Sequence, residues 1–185
     1  WREAFSAGDD VVLLITDFGA DGVYANGDRD AIADAIADPA VAPVIHLHAD
    51  LSDDEVAALY RTADVLVHPY RGGGLAMPVL EAMASGLPVI ATAGGPTDEF
   101  CPEAAGWRIP SQRVVHAVRQ VGPFELTGPM WDLEPDAGAL ADLLREAHRC
   151  GPDARRERGE LGREAAEDYG WDAIAARYAE RVSAV

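Results

Sequence analysis

One stretch of the sequence concentrates the residue types that bind phosphates and sugar hydroxyls. It is His68-Pro69-Tyr70-Arg71-Gly72-Gly73-Gly74-Leu75-Ala76-Met77-Pro78-Val79-Leu80-Glu81, continuing to Ile90. An apolar run ends at His68, three glycines follow, and Pro78 marks a helix start at Met77. Glycines let a backbone approach a ligand closely and adopt positive φ. The first N–H groups of a helix have no partner within it, and its dipole presents positive charge there. A strand, a glycine-rich bend and a helix start together form a place for an anion such as a phosphate. The amides of Gly74, Leu75 and Ala76, near the helix start, are the expected cradle, with Gly73 beside them at the site. Arg71 is the nearest cation, and it would serve equally as an ordinary surface charge. Glu81, about one turn in, is placed to accept two hydrogen bonds from a vicinal diol. His68 is the histidine nearest this bend. Alone, the pattern also fits a glycine-rich turn that binds nothing.

The flanking elements read as an α/β alternation. Val11–Ile15, Val44–Leu47, Val65–His68 and Pro88–Thr92 are short apolar runs, as expected of strands covered on both faces. Helical spacing spans Asp30 to Ala37. Ser52-Asp53-Asp54-Glu55 is a capping box opening a helix with Val56, Leu59 and Tyr60 on one side. Gly86 falls just past the end of the Met77 helix. Repeated βα units predict a doubly wound parallel sheet. Gly106 to Pro135 reads as irregular, and helices return from Asp136 onward. Residues 1–170 are expected to form one Rossmann-like domain, closed by a helix over 171–185. Trp1–Ser6 reads as the tail of a helix, which suggests an N-terminally truncated chain.

Composition narrows the function. The 185 residues carry 15 basic and 32 acidic side chains, a net charge of −17. Every basic residue is Arg, which excludes lysine Schiff-base chemistry. No basic stripe exists for nucleic acid, no apolar run is long enough for a membrane span, and no signal peptide is visible. Cys101 and Cys150 have no zinc-type spacing and are expected to be free thiols in the cytoplasm. No metal site is expected. Asp17, in the acidic stretch TDFGADG, is the one acidic loop residue that would suit a divalent ion. The histidines form no HExxH motif.

The fifty-residue block LSDDEVAALYRTADVLVHPYRGGGLAMPVLEAMASGLPVIATAGGPTDEF resembles the hallmark region of the retaining, GT-B-fold glycosyltransferases, the glycosyl transferases group 1, often numbered family 4. REAAEDYGWDAIAARYAERV is similar to that family's closing helices. The resemblance covers about Val11 to Val185 and implies one half of a GT-B fold, the nucleotide-sugar-binding half, with extra C-terminal helices. It implies transfer of a hexose from a nucleoside diphosphate sugar, with no cofactor and no metal. The family carries two glutamates with seven residues between them. The second matches Glu81, implied to hold the donor's ribose hydroxyls. The first falls on Gly73, where this sequence has no carboxylate. Leu51, with Asp50, matches the position that meets the nucleobase, and it also reads as a polar turn before a helix. Glu99 lies in a GGxxE-like string near the donor cleft. The family's basic pair for the phosphates would precede Trp1. No catalytic residue is assigned. The implied partners are the sugar donor and an acceptor-binding N-terminal half, in a cytoplasmic protein whose relatives often work at the membrane face. Two other readings stay open: a degenerate module that binds nucleotide or partner without catalysis, and a related GT-B enzyme such as an epimerase.

Overall fold

The computed structural model describes residues 1–17, 29–121 and 123–183. Expectations for the remainder of the TDFGADG stretch lie outside those residues. The chain divides into two compact units, Trp1–Ala58 and Leu59–Val185.

In the first unit, β1 (Leu13–Asp17) pairs in parallel with β2 (Val44–His48), in register from Leu13↔Val44 to Asp17↔His48. Helix α1 (Arg29–Ala37) lies between them in sequence. The expected helical tail at residues 1–6 is instead a single turn, with the Trp1 carbonyl accepting from the Ala4 and Phe5 N–H groups. Ser6 then bridges to Val41, and the Trp1 indole donates to the Ala42 carbonyl at 2.9 Å. Helix α2 (Asp53–Thr62) runs across the division between units. Its capping box forms with one change from the expected pattern. The Glu55 carboxylate accepts both the Ser52 N–H (2.8 Å) and the Ser52 hydroxyl (2.7 Å). The backbone bond holds the Glu55 pKa below its ordinary value.

The second unit is built on a three-stranded parallel sheet: β3 (Leu66–His68), β4 (Val89–Thr92) and β5 (Gly106–Ile109), in that order. Every residue of the central strand β4 is buried. Its side chains alternate between two cores, as the pleat demands. Val89 and Ala91 face Val79, Met83, Phe100 and Ala166, contributed in part by α3 (Met77–Ala84) and α5 (Gly151–Glu167). Ile90 faces Trp107, Ile109 and Ala147, beside α4 (Ala137–Arg149). Cover on both faces accounts for the uninterrupted apolar run of β4; the same expectation fails for β1 and β2, where Leu14 and Ile45 are exposed. The architecture is an α/β, Rossmann-like doubly wound unit.

The segment after β5 is not irregular. Ser111–His116 (β6) and Met130–Pro135 (β9) form an antiparallel ribbon, and Gln120–Val121 (β7) pairs with Phe124–Glu125 (β8). Most of β6 is exposed, so no core-facing alternation announced it. Cross-strand contacts hold the ribbon instead: Arg113 stacks on Trp131 at 4.1 Å from the ring centre, and His116 Nε2 lies 3.0 Å from Asp132 Oδ1. Helix α6 (Trp171–Ser183) ends the described chain. No helix among the described residues is long and apolar enough to cross a membrane.

Two contacts fix α3 in place. Its end is a Schellman turn: Gly86 takes φ 76°, its N–H reaches the Met83 carbonyl, and the Leu87 N–H reaches Ala82, both at 2.9 Å. Against that turn packs Gly159 of α5, where a β-carbon would run into the Gly86 carbonyl oxygen. Gly159→Ala therefore gains about 1 kcal/mol of helix propensity but meets rigid backbone, an overpacking cost of up to about 3 kcal/mol. The expected net result is a destabilisation of about 2 kcal/mol, read by urea denaturation as a lower midpoint with an unchanged slope.

Candidate functional site

The three strands of the second unit are parallel, so their carboxyl ends share one edge, where ligands bind in open α/β sheets. From β3 the chain passes through His68, Pro69 and Tyr70 into the bend Arg71–Ala76 and then α3. Residues 71–75 are exposed, so the bend is open and not sealed beneath other side chains. Among the described residues, no protein acceptor takes the N–H groups of Gly73, Gly74, Leu75 or Ala76. The α3 N-terminus has no side-chain cap, and Pro78 removes a donor from its first turn.

The positive φ is not where the glycines suggested. Gly72, Gly73 and Gly74 have no left-handed backbone, and a β-carbon on any of them meets nothing within 4 Å. The left-handed residue is Ala76, with φ 59° and ψ 53°. An alanine there costs about 1 kcal/mol or more. The strain sits at the residue that turns the bend into the helix.

Glu81 is exposed on α3 and accepts a hydrogen bond from the Tyr60 hydroxyl at 3.2 Å. Burial, reinforced by the Glu81 charge and this bond, pushes the Tyr60 pKa up to about 12. One carboxylate oxygen is thus engaged by a phenol. His68 is half-buried at the strand end, its ring centre 5.6 Å from that of Tyr70, and burial pushes its pKa down, so it is neutral at pH 7.

Tyr70 ties two loops of the edge together. Its hydroxyl donates to the Thr92 carbonyl at 2.8 Å and lies 2.8 Å from Thr97 Oγ1. It fits only because Gly95 lacks a β-carbon: one placed there would come within 2.5 Å of the phenol oxygen. Glu99 lies at the end of the short 3-10 turn Pro96–Glu99, its backbone carbonyl accepting from Tyr169 at 3.2 Å. Arg71 is engaged by Glu134 of β9: its Nη2 lies 2.7 Å from Oε1 and 2.6 Å from Oε2. Leu51 is half-buried in the first unit, between β2 and α2.

The second unit therefore brings His68, Arg71, Gly73, Gly74, Leu75, Ala76 and Glu81 onto one strand–bend–helix segment, with Glu99 on the loop after β4. Tyr60, Tyr70 and Glu134 also belong to this edge, and no sequence motif marks them. In the sequence Tyr60 reads as one face of the α2 helix, and Glu134 lies 63 positions from the arginine it holds. Among the described residues no three His, Cys, Asp or Glu side chains converge on a metal-sized space. Surface hollows of about 390 Å³ (Val115–Arg119 and Pro129) and about 210 Å³ (Ile174, Arg177, Tyr178 and Arg181) lie on other segments. The bend is an open shelf.

Residues 22–121 match the family model described as glycosyl transferases group 1. The chain belongs to this family. It is 32% identical over 142 residues to the MMP alpha-(1->4)-mannosyltransferase of Mycolicibacterium hassiacum, covering 77% of this chain and 29% of that protein. It is 32% identical over 152 residues to a GDP-mannose-dependent alpha-mannosyltransferase of Mycolicibacterium smegmatis, covering 82% of this chain and 32% of that protein. The chain thus spans about a third of the length of these curated relatives. Its fold is similar to the sucrose-phosphate synthase of Thermosynechococcus elongatus, with a TM-score of 0.65 at 24% identity over 94% of this chain and 39% of that one. The glycosyltransferase resemblance read from the fifty-residue block holds, and the chain has the fold of one Rossmann-like half of a GT-B glycosyltransferase.

The Tyr60–Glu81 pair makes a spectroscopic prediction. Of the five tyrosines, one phenol should ionise near pH 12, followed by ultraviolet phenolate absorbance. Tyr60→Phe should remove that phase, and Glu81→Gln should move it down toward the ordinary value. Because the folded pKa is raised, the associated stability is complete below about pH 10 and is lost as the pH climbs through about 12.

Proposed function

We propose that this chain is the donor-binding half of a retaining glycosyltransferase that moves a hexose from a nucleoside diphosphate sugar. The observation that carries the reading is the open bend with its uncommitted amides, running into α3 with Glu81 held by Tyr60. The amides of Gly74, Leu75 and Ala76 and the α3 N-terminus hold the donor's diphosphate. Negative charge develops on the leaving diphosphate as the glycosidic bond to it breaks, and fixed N–H dipoles oppose that charge without reorganising. Glu81 accepts from the ribose hydroxyls, its orientation set by the Tyr60 phenol. Neutral His68 lies at the strand end of the site, and Glu99 is the expected contact toward the sugar. An open shelf suits one wall of a cleft that a second, acceptor-binding half completes by closing. The two free thiols fit a cytoplasmic setting. The mannosyltransferase names of two relatives make GDP-mannose the first donor to test.

GDP, UDP and ADP should be screened by thermal shift, GDP first. The nucleotide that binds, at 100 times its Kd, should stabilise the chain by about 2.7 kcal/mol. Glu81→Ala should weaken that binding about tenfold or more by calorimetry, the loss of charge-assisted hydrogen bonds. If no nucleoside diphosphate binds, or Glu81→Ala binds as well as the natural sequence, the assignment fails.

A second reading is favoured by one residue. Gly73 stands where the family's first glutamate would be, which suits a module that binds donor without transferring it. A glutamate side chain has open space at Gly73 and no left-handed backbone to resist it. Gly73→Glu should leave the unfolding temperature nearly unchanged. In a protein that includes the acceptor half, a large gain in transfer rate from Gly73→Glu marks degeneration, and high activity with Gly73 marks a working enzyme.

A further inference from the structure

The β6–β9 ribbon makes two contacts with Arg71, at the start of the glycine-rich bend. The Leu133 N–H donates to the Arg71 carbonyl at 2.7 Å, and the Glu134 carboxylate takes the Arg71 guanidinium through both oxygens, at 2.7 and 2.6 Å. These two ties differ in kind. The backbone bond fixes where the bend begins whatever the side chain does. The ion pair is solvent-exposed, with the two side chains 59% and 47% accessible, and pairs of that kind contribute little to stability. An arginine presents the same donor fork to a phosphate as to a carboxylate. It enters the bend immediately before the three glycines, and no other basic residue lies between His68 and Glu81.

Taking the bend as the diphosphate site proposed above, on which this inference rests, we propose that Glu134 is a built-in competitor for the donor. With the site empty, Glu134 holds Arg71 over the ribbon. When a nucleoside diphosphate binds, its oxygens displace the carboxylate and Arg71 swings onto the phosphates, while the Leu133 bond keeps the bend anchored. The exchange trades one singly charged partner for a multiply charged one and costs only a weak surface pair. Glu134 thereby lowers donor affinity, and it confines the penalty to ligands that carry a diphosphate. A partner that pulled the ribbon, and Glu134 with it, off Arg71 would raise donor affinity without touching the cradle.

Calorimetry on the full chain with the nucleoside diphosphate that binds it tests this, comparing the natural sequence, Glu134→Gln, Arg71→Gln and the double variant, with the matching nucleoside as a second ligand. Thermal unfolding checks that each variant is folded. Glu134→Gln should bind the diphosphate about threefold tighter and the nucleoside no tighter. Arg71→Gln should bind the diphosphate more weakly, and adding Glu134→Gln to it should change nothing. Equal or weaker diphosphate binding by Glu134→Gln overturns the proposal. So does a gain that survives in the Arg71→Gln background, since that gain is the removal of a nearby charge and no exchange. If the natural chain and Glu134→Gln both fail to bind GDP, UDP and ADP, the diphosphate site itself falls, and the competitor role with it.

Discussion

Backbone meets backbone where α5 crosses the end of α3, and the absence of a side chain at Gly159 is what permits it. Everything at the sheet's carboxyl edge depends on that approach. Helix α5 carries two interior glycines, Gly159 and Gly162, each costing about 1 kcal/mol against alanine in a helix interior. The return is position. Gly159 seats against the Gly86 carbonyl, while Gly162 leaves room for Met83 and Ala105. With α3 pinned at its C-terminal turn and buried along Val79, Leu80, Ala82 and Met83, its first turn can only project at the strand ends. The amide surface proposed above is useful only if its helix does not drift, because those amides carry no side chain that could adjust.

The edge is then trimmed by phenols. Tyr60 engages Glu81 from α2, and Tyr70 locks the loop after β3 to the loop after β4 through Thr92 and Thr97. Both hold parts of the shelf in the geometry a ligand would meet, so less ordering remains to be done on binding. The left-handed Ala76 belongs to the same arrangement. Its unfavourable backbone persists because the Pro78 helix start on one side and the anchored Arg71 on the other leave the bend few alternatives.

Much of this was legible in the sequence, for physical reasons that can be named. The strands β1 to β4 are visible as short apolar runs, and their observed ends differ from the expected ones by only a residue or two. The α3 boundaries were visible because Pro78 and Gly86 are chemically forced choices. The ribbon was invisible. Val114 and Val115 are both exposed, so no apolar alternation exists to read, and what holds β6 to β9 is pairing between residues far apart in the chain. The same distance hid Glu134. Within the site, the glycines were correctly seen as marking the bend, but the positive φ belongs to Ala76. Composition shows that a bend is permitted, and only the neighbouring helix start decides which residue carries the left-handed turn.

That displacement of the strained residue onto Ala76 has a consequence for how this shelf can change. Gly72, Gly73 and Gly74 are under no conformational obligation and have open space in front of them. They are three consecutive open positions along the bend, each able to take a side chain while the backbone behind stays as it is. A lineage, or a combinatorial library, can therefore explore new selectivity at those positions without first having to find compensating stability elsewhere.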